Sequence, residues 1–286
     1  MPSIQNRRKK RFGAYLTELR TDAGRTTPEA GDLLRKTASQ VSKIENGHVL
    51  PAFAELVALL TYYDADPKQR DHAETLWKDA KQDSRRIQGS SAVPAKFRTF
   101  LRNEADAESE SGVWSQAIPG ILQSSGYAKA IHLASHRIND PNVGEARATA
   151  ARLARKDLLH GPNPLRFHAL IDIGVIRRVV GGRDCMIEQL AHLRELAELD
   201  NVTIQIIGEE AGAYGPMSGP FTILGYSDTA DPDAVYCEYQ GGGEWFDDPD
   251  DVKKFKLIFS DVSEQALSAA ESATLFDSRI RELEGR

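Results

Sequence analysis

The chain has 286 residues, 41% of them hydrophobic, and a net charge of −6, which suits two domains with separate cores. No run approaches the roughly 20 apolar residues of a membrane-spanning helix, and no apolar signal region opens the chain, so we expect a cytoplasmic protein without membrane contact. Cys185 and Cys237 stand far apart and form neither a zinc motif nor a disulfide framework.

Helical spacing of apolar residues predicts a first helix over about residues 9–23. The run 26–29, Thr-Thr-Pro-Glu, predicts the start of a second helix, because a threonine cap followed by proline is typical of a first turn. This helix is expected to extend to about Leu34, with Gly31 where two crossing helices need a small residue. Residues 35–37 then form a turn.

The stretch 37–47, Thr-Ala-Ser-Gln-Val-Ser-Lys-Ile-Glu-Asn-Gly, predicts a short surface helix. Thr37 and Gln40 fit a capping box, in which each side chain satisfies a backbone N–H at the helix start. Val41 and Ile44 are three residues apart and are predicted to face inward. The outer face carries side chains that can hydrogen-bond base edges or phosphates: Ser39, Gln40, Ser42 and Lys43.

Gly47 is predicted to end this helix, because glycine adopts a left-handed conformation at little cost. Pro51 is predicted to open a fourth helix, and Asp66-Pro67 a fifth that extends to about residue 85. A capped, polar surface helix, over residues 38–46, has a size that a major groove can accept.

Residues 12–62 resemble the helix-turn-helix domain of the Cro/phage-repressor (XRE) class through Gly31, Val41, Ile44 and the run 42–47. The resemblance implies five helices, with the third in the major groove of double-stranded DNA. It also implies that four residues contact DNA: Thr37, Ser39, Gln40 and Lys43.

Two residues of the turn depart from that family. Arg35 replaces the usual turn glycine, so we expect it to hold a left-handed conformation at a cost of roughly 1 kcal/mol. Lys36 replaces an apolar residue. Both add positive charge that can contact phosphates beside the groove. The alternative is an ordinary helical bundle whose polar helix is merely solvated.

Charge is distributed unevenly along the chain. Residues 1–46 carry ten lysines and arginines against five acids, a net charge of +5, whereas residues 47–286 carry −11. A basic end predicts a polyanionic partner and salt-dependent binding. The basic run is predicted to be either an arm on phosphates or in a minor groove, or a solvated and partly frayed terminus: Arg8, Lys9, Lys10 and Arg11.

A polar stretch, residues 86–93, is predicted to link an all-α domain, residues 1–85, to a C-terminal domain, residues 94–286. Helical patterns in the second domain cover 94–109, 125–138, 143–160, 185–199, the segment after the Asp248-Pro249 cap and a final stretch over 269–283. Strand patterns cover 166–171, 202–207, 221–226 and 234–239, with 113–117 a weaker fifth. This order predicts an α+β fold with a small, mostly antiparallel sheet.

The second domain resembles that of a large actinobacterial regulator family, in which it follows an XRE domain. Similar segments occur in the same order: 118–124 (Ile-Pro-Gly-Ile-Leu-Gln-Ser), Tyr127-Ala128, 188–190, 219–221, 235–238 and 266–268. Members are often encoded beside a short protein, and the pair is described as antitoxin-like. The resemblance implies transcriptional regulation, and residues 171–174 depart from the acidic pair usual in the family.

No constellation of residues predicts catalysis. His132 and His136 have a spacing that can hold a metal, but no H-E-x-x-H motif or further ligand accompanies them. The glycines of 181–183 and 241–243 read as turns, because neither segment has the pattern of a phosphate loop. We therefore expect no enzyme, no metal site and no cofactor.

Four residues near predicted strand ends or loops are candidates for contact with an effector or partner: Trp114, Tyr214, Glu238 and Trp245. In the alternative interpretation, Trp114 is a core residue and Trp245 anchors a loop. The glycine-rich segment 208–219 is either a lid over such a site or a long surface loop.

These patterns favour a sequence-specific DNA-binding transcription regulator that binds an operator as a homodimer. The C-terminal domain would bind an effector or partner and dimerise. Two alternatives remain open: an antitoxin-like scaffold that holds a small partner protein encoded nearby, and a small-molecule sensor or enzyme in the C-terminal domain.

Overall fold

The computed structural model describes residues 7–81, 95–134, 154–226, 232–239 and 242–285. The chain divides into two compact units, Met1–Arg86 and Ile87–Arg286. The predicted linker lies outside the described residues, as do the ends of the helices predicted over 125–138 and 66–85 and the first part of 143–160.

The described part of the first unit is all helical. Its elements are α1 (Arg7–Asp22), α2 (Thr27–Leu34), α3 (Ala38–Glu45), α4 (Phe53–Tyr62) and α5 (Pro67–Lys81). The predicted five-helix domain is confirmed, with each start within two residues of its expected position. Their apolar faces form one core: Phe12, Leu16, Leu19, Ala30, Val41, Ile44, Leu56, Leu59, Leu60, Ala73 and Leu76.

The second unit is α+β, as predicted. Its helices are α6 (Ala95–Asp106), α7 (Ser125–Ala134), α8 (Ile173–Arg177), α9 (Arg183–Leu196), α10 (Pro249–Gln265) and α11 (Ala269–Glu284), with 3₁₀ turns at Gly120–Leu122 and Ala154–Leu159. Its strands are β1 (Ser109–Trp114), β2 (Arg166–Asp172), β3 (Val202–Ile207), β4 (Phe221–Gly225), β5 (Ala234–Tyr239) and β6 (Gly242–Phe246).

The strands of the described residues form one mixed sheet in the order β3-β2-β1-β4-β5-β6. The pairs β1–β2 and β2–β3 are parallel, whereas β1–β4, β4–β5 and β5–β6 are antiparallel. The sheet is therefore mostly antiparallel, as the sequence predicts. Within the described ranges, no helix is both long and apolar enough to span a membrane.

Alternating side chains bury both faces of this sheet. On one face, Phe167, Ala169 and Ile171 of β2 pack in the core cluster that contains α9 and α11. On the other face, Leu170 joins Val113 of β1 in the cluster that contains α10. The sheet and the helices on its two faces thus form three layers. The sequence did not predict this arrangement, because only residues 202–207 show a clear alternation of apolar and polar residues.

Three predicted elements were wrong in position or type. The strand predicted at 113–117 is β1, four residues earlier, because pairing with β2 and β4 recruits Glu110 and Gly112, which break the apolar alternation. A Cβ at Gly112 would lie 2.3 Å from the Phe221 carbonyl oxygen, so only glycine fits there. The described end of the helix predicted over 143–160 is a 3₁₀ turn, which stops before Gly161-Pro162.

The glycines at 242 and 243, predicted to be a turn, belong to strand β6. A Cβ at Gly243 would lie 2.2 Å from Cζ of Tyr236, so glycine leaves room for that ring against the sheet edge. Trp245, a candidate for effector or partner contact with a loop anchor as the alternative, lies in the same strand and packs on Tyr236 at 4.9 Å between ring centroids. Tertiary pairing, rather than local pattern, makes this segment a strand.

Candidate nucleic-acid interface

Helix α3 is a short surface helix with a buried inner side. Val41 and Ile44 are 1% and 2% exposed, so they hold the helix on the core of the first unit. Asn46 is the C-cap, and Gly47 follows with φ +71°, the left-handed conformation expected at the helix end. The helix therefore keeps a fixed orientation through two apolar side chains and its capped ends.

The outer side of α3 presents Ser39, Gln40 and Lys43, all exposed, and no described residue forms an ion pair with Lys43. Ser42 is half-buried instead, and it accepts hydrogen bonds from Nδ2 of Asn46 at its Oγ (3.0 Å) and its carbonyl (2.8 Å). Three of the four predicted outer-face residues thus share one exposed surface, and Ser42 lies beside the helix end.

The predicted capping box of α3 forms in full. The Thr37 N–H donates to Oε1 of Gln40 at 2.8 Å, and the Gln40 N–H donates to Oγ1 of Thr37 at 3.2 Å. The Thr37 hydroxyl also lies 3.4 Å from the same Oε1. Thr37 and Gln40 therefore have a structural task in addition to the DNA contacts implied by the resemblance.

The turn before α3 carries the two basic residues that depart from the XRE pattern. Arg35 is exposed and holds the left-handed conformation predicted for it, with φ 54° and ψ 42°. The turn passes so close to α2 that a Cβ at Gly31 would lie 2.7 Å from the Lys36 carbonyl oxygen. Nζ of Lys36 forms an ion pair with Glu55 of α4 at 3.0 Å.

The basic run Arg8, Lys9, Lys10 and Arg11 lies within α1, which begins two residues before its predicted start. The first turns of α1 lie against the end of α3. A Cβ at Gly47 would meet the Lys10 nitrogen at 2.5 Å, and one at Gly13 would meet the Glu45 carbonyl oxygen at 2.3 Å. This packing keeps the start of α1 helical and brings its positive charge beside the end of α3.

An ion pair that the sequence did not reveal joins the same two helices. Nε and Nη2 of Arg20 in α1 donate to the two carboxylate oxygens of Glu45 at 2.7 and 3.1 Å, and Nη1 donates to the Arg25 carbonyl. Burial, and then the charge of Glu45, raises the pKa of the neighbouring Tyr63 hydroxyl. Arg20 therefore fixes α3 rather than facing solvent, and no local signal connects residues 25 positions apart.

Two candidates in the second unit have structural partners. Trp114 stacks on Phe167 with centroids 5.7 Å apart and packs at the edge of the main core cluster, which favours the core interpretation. Tyr214 is buried and its hydroxyl donates to Oδ2 of Asp172 at 2.6 Å. Oδ1 of Asp172 accepts from the Gly174 N–H, so the segment around Tyr214 is attached to the start of α8.

Glu238 and Trp245 lie on the two outermost strands at one edge of the sheet. Register pairs Glu238 with Gly243, and Tyr236 with Trp245. Trp245 is half-buried and also stacks on Phe100 of α6, whereas Glu238 is exposed. The sheet edge brings these two candidates near each other, whereas Tyr214 packs in the core cluster between the sheet and α10.

The segment 118–124, which is part of the second resemblance, forms two backbone hydrogen bonds with the buried Gln189. Oε1 of Gln189 accepts from the Ser124 N–H at 2.6 Å, and its Nε2 donates to the Leu122 carbonyl at 2.9 Å. Gly120 lies against a guanidinium, since its Cβ would meet Nη1 of Arg155 at 2.2 Å. These contacts give a packing reason for the glycine and for the glutamine of residues 188–190.

A buried charged cluster near this segment was also missed. Nε of Arg155 donates to both carboxylate oxygens of Glu104, at 3.0 and 2.8 Å, and Nη2 forms a further short contact. Burial, followed by the charge of Glu104, raises the pKa of Glu110 well above its ordinary value, although Arg155 acts in the opposite direction. Among the described ranges, no group of three or more His, Cys, Asp or Glu side chains has a geometry that could hold a metal.

Comparison with protein families assigns both units. A family described as "Domain of unknown function (DUF5753)" matches residues 97–278, and one described as "Helix-turn-helix domain" matches residues 11–73. No curated protein and no solved structure matches the chain. The first unit is therefore a helix-turn-helix domain, and the second unit contains the larger matched region.

Proposed function

Because the chain belongs to the family of the domain of unknown function DUF5753 and carries a helix-turn-helix domain before it, we propose that it is a sequence-specific DNA-binding transcription regulator of the XRE type. The observation that carries this proposal is the two-sided helix α3. Ser39, Gln40 and Lys43 are exposed on its outer side, and Val41 and Ile44 are buried on its inner side. Because Val41 and Ile44 fix α3 on the core, its exposed side can enter a major groove while the helix keeps its orientation.

The proposed contacts with DNA are of two kinds, those to phosphates and those to bases. Arg35, beside the start of α3, and the basic first turns of α1, beside its end, suit phosphates, which position a protein on the duplex. Lys36 serves this role less directly, since it is paired with Glu55. Ser39, Gln40 and Lys43 are exposed on the outer side of α3, and in this proposal they distinguish bases. Binding of this kind weakens steeply as salt is raised.

We propose a homodimer, because two copies of α3 separated by about 34 Å can enter successive major grooves on one face of the duplex. The operator would then be a palindrome. The second unit would supply dimerisation and contacts to an effector or partner, and the whole protein would act by binding rather than by catalysis.

The test of this function is in-vitro selection from random duplex DNA with the full chain, followed by gel-shift measurements on the enriched sequence. Lys43→Ala should bind the selected operator about tenfold more weakly, because it loses a base or phosphate contact worth on the order of 1–3 kcal/mol, and should unfold at the wild-type temperature. Equal affinity of this variant and wild type at moderate salt would contradict the role given to α3.

A second role, partner binding as an antitoxin-like scaffold, is favoured by the edge of the sheet, where exposed Glu238 lies on β5 and half-buried Trp245 on β6. Aromatic side chains at a sheet edge can anchor a partner protein. Co-expression with a short protein encoded nearby, followed by a pull-down with wild type and Trp245→Ala, tests this role. Retention of the partner by wild type alone supports it, and a stable complex without operator affinity would favour the scaffold over the regulator.

A further inference from the structure

We infer that Gln40 acts toward DNA only as a hydrogen-bond donor, so that it takes a pair of acceptor atoms, either O6 and N7 of guanine or the oxygens of a phosphate, and not adenine. The inference deepens the proposed function and rests on it. It assigns the side chain a chemical preference that its residue type alone would not give, because a glutamine amide can also accept.

The capping box determines which half of the amide is available. Oε1 of Gln40 accepts from the Thr37 backbone N–H at 2.8 Å. Only an oxygen can accept from that N–H, so the amide cannot be turned round without placing two donors against each other. Nε2 therefore points away from the cap, and no described residue accepts a hydrogen bond from it.

Adenine recognition by glutamine needs both halves of the amide. Oε1 would have to accept from the N6 amino group while Nε2 donates to N7. A carbonyl oxygen accepts two hydrogen bonds, and in this helix both go to the cap, from the Thr37 N–H at 2.8 Å and the Thr37 hydroxyl at 3.4 Å. Pairing with adenine would therefore displace one of these donors at the start of α3. The two N–H groups of Nε2, by contrast, match the two adjacent acceptors of guanine, or those of a phosphate, with the cap intact.

The same unit shows that a carboxylate can fill the capping role. At the start of α2, the Thr26 N–H donates to Oε2 of Glu29 at 2.7 Å, and the Glu29 N–H donates back to Oγ1 of Thr26 at 3.4 Å. Gln40→Glu should therefore keep the cap of α3 while it removes both amide donors. The substitution separates the structural task of Gln40 from its contact with DNA.

The chain also offers a matched control at the start of α5. The Asp66 N–H donates to Oε1 of Gln69 at 2.8 Å, and the Gln69 N–H donates to Oδ1 of Asp66 at 2.9 Å. Gln69→Glu makes the same chemical change, with the same added negative charge, in a capping glutamine outside α3. Any effect of the charge on the unit as a whole appears in both variants.

The experiment compares full-length wild type, Gln40→Glu and Gln69→Glu by selection from random duplex DNA, by gel shift at moderate salt, and by thermal unfolding. We expect all three to unfold at similar temperatures. Gln40→Glu should bind the wild-type operator at least about tenfold more weakly, and Gln69→Glu less than about threefold more weakly.

Modified operators distinguish a guanine contact from a phosphate contact. If guanine is the partner, the selection loses a guanine preference at one position of each half-site in Gln40→Glu, and 7-deazaguanine at that position weakens wild type but not the variant. If phosphate is the partner, the base preferences stay, and one neutral methylphosphonate linkage weakens wild type and strengthens Gln40→Glu. Either result supports a donor-only glutamine.

Three results would overturn the inference. One is an adenine preference that disappears in Gln40→Glu, the second is equal DNA affinity of Gln40→Glu and Gln69→Glu, and the third is a marked loss of thermal stability in Gln40→Glu alone. Failure of the proposed function is a different result: wild type then enriches no sequence, and Lys43→Ala behaves as wild type, which removes the basis for both.

Discussion

Each unit contains an arginine–glutamate pair between residues distant in the chain, but the two pairs lie at different depths. Arg20 and Glu45 keep 13% and 8% of their side chains exposed, and they join α1 to the end of α3. Arg155 and Glu104 keep 7% and 1%, and they join a 3₁₀ turn to α6 beside a second buried acid, Glu110. Burial lowers the pKa of Arg155, but the charge of Glu104 and its hydrogen bonds outweigh this effect and leave the pKa raised.

Depth changes what each pair can do. A pair that keeps some contact with water is partly rehydrated when it opens, whereas a fully buried pair has given up hydration that only its partner replaces. We therefore interpret Arg20–Glu45 as the contact that positions α3. The Glu104–Arg155 pair is a structural element of the second unit, and its disruption should destabilise that unit.

The largest expected effect is that of Glu104→Ala, which leaves the Arg155 guanidinium buried without its main partner. We expect the second unit to lose about 3–5 kcal/mol of stability, measured by urea unfolding of the full chain followed by tryptophan fluorescence. Glu108→Ala, a nearby exposed acid, should change stability by less than about 0.5 kcal/mol. Equal losses of stability in Glu104→Ala and Glu108→Ala would show that burial of the Glu104–Arg155 pair has no particular effect on stability.

Arg20→Ala should have a smaller effect on the first unit, a loss of about 1.5–3 kcal/mol, because the Glu45 carboxylate loses two charged hydrogen bonds but keeps access to water. Operator affinity should fall as well, since the end of α3 is no longer tied to α1. Thermal unfolding and gel shift measure both, with Lys78→Ala, which removes an exposed pair with Glu74, as the control. Wild-type affinity in Arg20→Ala would contradict the positioning role.

The buried Glu110 should make the stability of the second unit depend on pH. A raised native pKa means that this carboxyl ionises in the unfolded chain before it does in the native one, so its contribution to stability declines as pH rises from the ordinary carboxyl range through the raised pKa. Gln cannot ionise, so Glu110→Gln should remove that decline and unfold a few degrees above wild type at the upper end of the range. Parallel melting curves across pH for wild type and variant would refute this; exposed Glu108→Gln is the control.

The smallest expected effect concerns the turn before α3. Arg35→Gly relieves a left-handed conformation and should stabilise the first unit by about 1 kcal/mol, while the loss of a positive charge weakens operator binding. Asp64 also has a left-handed conformation, with φ 53°, and Asp64→Gly should give a smaller gain in stability with no loss of affinity. Equal affinities for the two variants would remove Arg35 from the interface.

Much of the first unit could be predicted, because its signals are local. The capping residues Thr26 and Thr37, the glycine at 47 and the spacing of Val41 and Ile44 act within one or two helical turns, so each is visible in a short window of sequence. The polar outer face of α3 follows from the same spacing. The sequence left open whether residues 8–11 form an arm or a frayed terminus; in the structure they are helical, and the end of α3, distant in the chain, packs against them.

In the second unit, the sequence by itself determined the bounds of strands with strong apolar patterns, such as β3 and β5, and the capped start of α10. Only the tertiary structure decided the position of β1 and the strand status of β6. Their residues have weak patterns, and backbone pairing with neighbouring strands outweighs that weakness.

The long-range ion pairs were likewise decided by tertiary structure alone. Arg20 and Glu45 are 25 residues apart and Glu104 and Arg155 are 51 apart, so no periodicity relates them. Composition and local spacing determine which segments form helices and which face each helix buries. The depth at which a charge is buried, and the partner that satisfies it, depend on how the segments pack, because desolvation is a property of the assembled core.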